Sequence, residues 1–252
     1  MALFPVYGLD GKEEKELELP KIFSYPIKKE LIQRAVLSEQ SFEFQPQGHY
    51  ILAGMQTTAT YYGRMSTYRT GRHMGIAIRP REKLGGGRQG KVKRIPSAVK
   101  GKRAHPHKIT KKIVEIISKK EYANALKSAI AATVISNKNI VSPIIVDDNI
   151  ENLKRAKDVS TLLKQFHIPY REGKKKILNR SHNKTRYKSS AIIIVNNDKG
   201  IIKAARNLPG IDAVTLAKLK VKLLAPGGQT SRIAIWSESA VNNVSNAISK
   251  LE

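Results

Sequence analysis

Apolar residues follow two regular patterns along this chain, and a long middle stretch follows neither. Before residue 44, Phe4 to Tyr7 and Glu16 to Leu19 flank an Asp10-Gly11 turn signal, which predicts a hairpin. Lys28 to Phe44 reads as a helix, because Leu31, Ile32, Ala35 and Val36 recur at three and four residues and Pro46 with Gly48 ends the pattern. Beyond Pro106, Ile109, Ile113, Ile116, Ile117, Leu126, Ile130 and Val134 keep helical spacing, so one long amphipathic helix is expected from about Ile109. Short β-branched runs then alternate with helical patterns. Ile144 to Val146 precedes a helix carrying Leu153, Ala156, Leu163 and Phe166; Ala191 to Val195 precedes Lys199 to Arg206; Ile233 to Trp236 precedes Val241, Val244 and Ile248.

Runs such as Ile192-Ile193-Ile194-Val195 lack polar alternation, as strands buried on both faces do. The expected fold is therefore α/β, a mostly parallel sheet flanked by helices, with one long irregular basic loop extension. The expected division is a globular domain of residues 1–44 and 109–252, with 45–108 inserted as the extension.

Charge sharpens this division. Of a formal +26 over 252 residues, the stretch from Arg64 to Lys108 holds fourteen Lys/Arg against the single acid Glu82. Half of the net charge thus lies in less than a fifth of the chain. Low hydrophobicity with high charge predicts that this stretch orders only on a polyanion, and phosphate backbones are the usual use of such charge. Arginine outnumbers lysine eight to six there, and Tyr61, Tyr62 and Tyr68 lie close by. Guanidinium planes pair with phosphates bidentately and stack on splayed bases, which favours folded RNA. The candidate RNA-binding residues are Arg64, Arg69, Arg72, Arg79, Arg81, Lys83, Gly85, Gly86, Gly87, Arg88, Lys91, Lys93, Arg94, Lys100, Lys102, Arg103, His105, His107 and Lys108. A second basic surface is expected at Lys174, Lys175, Lys176, Arg180, Lys184, Arg186 and Lys188, around Ile177, Leu178 and Tyr187.

Several chemistries are disfavoured. With no cysteine, thiol nucleophiles, disulfides and thiolate-held metals are out of reach. Gly85 through Gly90-Lys91 matches both the dinucleotide pattern and most of a phosphate-binding loop, yet Val92 replaces the required Ser/Thr and neither a strand before nor a helix after is expected. Those glycines instead let backbone N–H groups approach phosphates. His105-Pro106-His107 has Glu115 as its nearest acid, so no metal site is expected. Asp147-Asp148 follows a strand, where α/β enzymes hold acids, but helix capping accounts for Asp148. No cofactor, signal peptide or membrane-spanning segment is expected, and the lack of cysteine is compatible with the expected cytoplasmic location.

Three blocks, in order, carry a resemblance. Gly85-Gly86-Gly87-Arg88, Arg94-Ile95-Pro96, Val99-Lys100-Gly101 and Ala104-His105-Pro106 form the first; Ala205-Arg206-Asn207-Leu208 with Gly210-Ile211-Asp212 the second; Leu224-Ala225-Pro226-Gly227-Gly228 with Arg232 and Trp236 the third. Together they resemble the archaeal and eukaryotic branch of the large-subunit ribosomal protein L four family over nearly the whole chain. The resemblance implies a structural, non-enzymatic component of the large ribosomal subunit that binds its rRNA and supports assembly. It also implies a loop from about Gln45 to Lys108 that helps form the peptide exit tunnel wall, with its inner end within Thr67 to Arg88. Implied partners are large-subunit rRNA, neighbouring ribosomal proteins and the nascent polypeptide near the loop tip, with no membrane. Two other classes compete: an RNA chaperone or regulatory RNA-binding protein acting off the ribosome, and a nucleotide-dependent RNA-modifying enzyme.

Overall fold

A computed structural model describes residues 3–61, 75–134, 143–168, 175–178, 183–186, 189–230 and 232–249, of which 175–178 and 183–186 are described by backbone alone. In chain order the elements are β1 (Leu3–Tyr7), β2 (Glu13–Glu18), α1 (Lys29–Ser41), β3 (Arg81–Lys83), β4 (Gln89–Val92), α2 (Lys119–Ala132), β5 (Ile144–Val146), α3 (Ala156–Gln165), β6 (Lys175–Leu178), β7 (Asn183–Arg186), β8 (Ala191–Val195), α4 (Ile201–Ala205), β9 (Ile211–Thr215), α5 (Val221–Leu224), β10 (Ile233–Ser237) and α6 (Glu238–Ser249). The chain divides into two compact units, one of Met1–Glu43 with Val114–Glu252 and one of Phe44–Ile113.

The first unit is built on a six-stranded sheet of order β2-β1-β5-β10-β8-β9. All neighbours run parallel except β2, which is antiparallel to β1 and joins it through the predicted turn, where Gly11 takes a left-handed φ of 74°. The unbroken apolar runs are explained by burial on both faces. Ile192, Ile194, Ala234 and Trp236 point into one core with α1, α2 and α6, while Ile193, Val195, Ile233 and Ile235 point into the other with α3 and α4. The α/β architecture with a mostly parallel, helix-flanked sheet is thus as read from the sequence. Strand β9 is an addition, since its Ile211-Asp212-Ala213-Val214-Thr215 has no pattern of its own.

The long helix expected from Ile109 is much shorter. It starts at Lys119, because the Ser118 hydroxyl accepts the Glu121 N–H at 3.3 Å and the Glu121 carboxylate accepts the Ser118 N–H at 3.4 Å, a closed capping box. Just upstream, the Glu115 backbone is committed to α1: Ser38 Oγ donates to its carbonyl at 2.7 Å, and its N–H donates to Ser41 Oγ at 2.9 Å. Those bonds compete with helix, and the apolar spacing there is misleading, as Ile109 and Ile116 are 69% and 80% exposed.

Three helices of the first unit meet at one carboxylate. Glu39 of α1 accepts the Tyr122 hydroxyl of α2 at 2.6 Å and the Val221 and Lys222 N–H groups, at the start of α5, at 3.0 Å each. Burial, then the hydrogen bond and the charge of Glu39, push the Tyr122 hydroxyl well above the ordinary phenol range. No helix among the described residues is long and apolar enough to cross a membrane.

Candidate nucleic-acid interface

The second unit was expected to lack regular structure, and two local frames correct that. The first is a hairpin. β3 and β4 pair antiparallel with Arg81 opposite Val92 and Lys83 opposite Gln89. Thr60 adds a bridge to Arg81, its N–H donating to the Arg81 carbonyl at 3.3 Å. The expectation of no strand before the glycines is therefore also corrected. The glycines lead into another strand rather than a helix, so Gly85–Gly87 forms a tight hairpin turn, with Gly86 at φ 70°, and not a nucleotide-binding strand-turn-helix. Backbone hydrogen bonds hold this hairpin: Leu84 N–H to the Arg88 carbonyl at 3.0 Å and Lys93 N–H to the Pro80 carbonyl at 3.0 Å. Binary patterning cannot detect a hairpin held in this way.

The second frame is a clasp over residues 94–102. Arg94 and Lys100 both adopt left-handed φ, 69° and 58°, which costs about 1–2 kcal/mol each for residues with a Cβ. The turn is closed by the Lys102 N–H on the Arg94 carbonyl at 3.3 Å, with Ala98 N–H to Ile95 and Gly101 N–H to Ala98 inside it. A Cβ at Gly101 would lie 1.9 Å from the Ile95 carbonyl oxygen, and one at Gly54 would lie 2.4 Å from the Gly101 oxygen. Glycine is thus required at 101 for the clasp to close and at 54 for the 52–55 turn to sit against it.

The predicted cations divide by what holds them. Arg94 is half-buried, and its guanidinium donates to the Thr57 carbonyl at 3.1 Å. Arg79 donates to Ser97 Oγ at 3.1 Å, Arg81 to the Ala77 carbonyl at 3.4 Å, and Lys93 stands 4.0 Å from Glu82. The Lys83 N–H donates to Thr58 Oγ1 at 3.2 Å. These residues brace the frame as well as charging it. Arg88, Lys91, Lys100, Lys102, Arg103 and Lys108 are exposed and have no carboxylate partner among the described residues. Exposed His105 and His107 flank Pro106, and the His107 carbonyl lies 3.3 Å from His49 Nδ1. Arg64, Arg69 and Arg72 lie outside the described residues, as do residues 67–74 of the expected inner end of the loop. Thr57, Thr58 and Ser97, which tie the frame together, carry no sequence signal.

The second basic surface lies in the first unit. Lys175, Lys176, Lys184 and Arg186 fall on the β6–β7 hairpin, where Lys175 is directly opposite Arg186. Like charges opposite each other destabilise a strand pair unless an anion intervenes. Lys174, Arg180 and Lys188 lie outside the described residues.

The carboxyl end of the parallel sheet, where α/β folds bind ligands, is filled by the chain's own acids. Glu151, 2% exposed, accepts the Asn196 and Asn197 N–H groups at 3.1 and 3.0 Å and meets Lys199 at 3.5 Å. Asp198 accepts the Gly200 N–H at 3.0 Å. Asp148 does cap a helix, though a distant one: its carboxylate accepts the Ser239 N–H of α6 at 2.9 Å. Among the described residues no group of three or more His, Asp or Glu is arranged to hold a metal ion.

Known proteins resemble the chain over the same span as these features. The model of the family described as ribosomal protein L4/L1 matches residues 17–247. A protein of Archaeoglobus fulgidus named large ribosomal subunit protein uL4 is 38% identical over 257 residues, covering 94% of this chain and 95% of that protein. Proteins of the same name from Methanocaldococcus jannaschii and Methanosphaera stadtmanae are 35% and 34% identical, covering 95% and 99% of this chain.

Proposed function

The chain belongs to the ribosomal protein L4/L1 family, and from that premise we propose that it is a structural component of the large ribosomal subunit that binds large-subunit rRNA chiefly through residues 45–108. The observation that carries this reading is the division among the cations of the second unit. One set is spent on bracing a hairpin and a clasp, and the other, Arg88, Lys91, Lys100, Lys102, Arg103 and Lys108, is held out without a carboxylate partner among the described residues. A frame that fixes backbone and leaves guanidinium and ammonium groups unpaired matches phosphate recognition, where position comes from backbone contacts and affinity from counterion release. The Lys175–Arg186 pair across β6 and β7 supports a second rRNA contact. The part of the loop around Thr67 to Arg88 lines the peptide exit tunnel and meets the nascent chain, and neighbouring ribosomal proteins pack on the first unit. The protein acts as scaffold and assembly factor rather than enzyme.

Arg88→Glu, Lys91→Glu and Arg103→Glu together test the reading. None of these three side chains has a carboxylate partner among the described residues, so unfolding of the first unit should match the unaltered protein. The log–log salt slope of binding to a large-subunit rRNA fragment should fall by roughly 2–3, at about 0.7–0.9 per lost phosphate contact. Incorporation into large subunits should fail after a high-salt wash. Normal incorporation of the triple variant would sink the proposal. Arg94→Glu, by contrast, should disturb the clasp as well.

A further inference from the structure

Phe42 directly follows α1, and 66% of its surface is exposed. It lines a cavity of about 420 Å³ together with Ser38, Glu39, Ile117 and Tyr122, and the exposed Lys119 and Lys220 complete the lining. That volume falls in the roughly 300–1,000 Å³ range of small-ligand sites.

Four features say what fits. The Tyr122 ring is held in place by its hydroxyl bond to Glu39, so the aromatic wall is preformed. The Glu39 carboxylate already accepts three donors, which makes it a poor receptor for a further cation. Lys119 and Lys220 have no carboxylate partner among the described residues, whereas the nearby Lys222 pairs with Glu43. Lys119 and Lys120 also stand in the first turn of α2, where the capping Glu121 already meets the helix dipole and a further anion would offset the two adjacent cations.

We propose that this cavity takes one unstacked RNA nucleobase, stacked on Phe42, with the flanking phosphates on Lys119 and Lys220. Splayed bases on aromatic side chains beside cations are the common mode of RNA recognition outside helices. The proposal rests on the rRNA-binding reading above, but adds a contact in the first unit, apart from the basic extension. An acidic peptide with an aromatic side chain is the competing occupant. The chain's overall +26 and the Tyr122 ring held by Glu39 favour the base.

The test uses the full-length chain, a short single-stranded oligoribonucleotide carrying 4-thiouridine, and an abasic strand of equal length and charge. Ultraviolet cross-links should map to the peptides holding Phe42 and Tyr122. Phe42→Ala should weaken binding of the base-containing strand by about fivefold or more and leave the abasic strand unchanged. Lys119→Glu with Lys220→Glu should weaken both. Phe42 is exposed, so fluorescence of the buried Trp236 should report unaltered folding. Affinity of Phe42→Ala for the base-containing strand within twofold of the unaltered protein, or cross-links confined to other peptides, overturns the proposal while leaving salt-dependent RNA binding intact. An acidic aromatic peptide whose binding Phe42→Ala abolishes, with RNA binding unchanged, overturns it in favour of a protein partner. Loss of all salt-dependent RNA affinity in the unaltered protein would instead overturn the parent reading.

Discussion

Glu39→Gln is the most direct probe of how the first unit holds together. In the structure one carboxylate oxygen accepts the Tyr122 hydroxyl and the Val221 N–H, and the other accepts the Lys222 N–H. The amide keeps one acceptor but turns an NH2 toward a backbone donor or toward the tyrosine, whichever way it is flipped. At least one charge-assisted bond is lost outright, worth about 1.5–3 kcal/mol, and the others drop to neutral strength. The expected loss is therefore about 2–4 kcal/mol, a large fraction of the 5–15 kcal/mol typical of a domain. Trp236 is the chain's one tryptophan and lies fully buried in β10, so its fluorescence reports the unfolding of this unit. In denaturant titration the midpoint should drop with the slope unchanged, and the melting temperature should fall by about 5–15 °C. A variant within about 0.5 kcal/mol of the unaltered protein, the spread of ordinary surface substitutions, would refute the claim that this carboxylate joins α1, α2 and α5.

The same geometry sets two further outcomes. Tyr122→Phe removes a hydroxyl whose proton is held more tightly in the folded than in the unfolded chain, where it ionises near 10. Because the raised folded value makes this contribution complete below pH 10 and lost as pH rises above it, the unaltered protein should lose its stability advantage over Tyr122→Phe in thermal melts above pH 10. A constant difference from pH 8 to 11.5 would contradict the assignment. Gly101→Ala should open the clasp, since its Cβ would fall on the Ile95 carbonyl. Amide exchange at Ala98 and Lys102 should accelerate while Trp236-monitored unfolding stays unchanged, and unaltered exchange at both amides would show that the clasp does not need glycine.

The sequence pattern was most informative where burial is two-sided. Ala191 to Val195 and Ile233 to Trp236 are apolar at every position because both faces meet a core, so β8 and β10 could be read directly. The same reasoning overextended α2. Ile109, Ile113 and Ile116 keep the spacing of a helix face, but what decides that segment is the Glu115 backbone bound to two serines of α1, a contact 70 or more residues away in sequence. β9 lies at the sheet edge, where only Ile211 is fully buried, Ala213 and Val214 are half-buried against opposite cores and Asp212 is exposed, so its pattern is weak. At the candidate interface, charge located the residues but not their division of labour. Arg94 and Arg88 look alike in sequence, and only the structure separates a guanidinium that binds Thr57 from one without a carboxylate partner among the described residues. Glu39 gave no signal at all, since a lone acid on a helix is ordinarily solvated.

The central position of β10 sets an order of events during synthesis. It pairs with β5 on one side and β8 on the other, so the sheet cannot close until residues 233–237 are available. The segment Phe44–Ile113 is made long before that. At about 5–20 residues per second, on the order of ten seconds pass between completion of that basic segment and arrival of the strand that closes its companion unit. For that interval the most cationic part of the chain is present in the cell without a finished domain beside it, and its first encounters are governed by whichever polyanion is nearest.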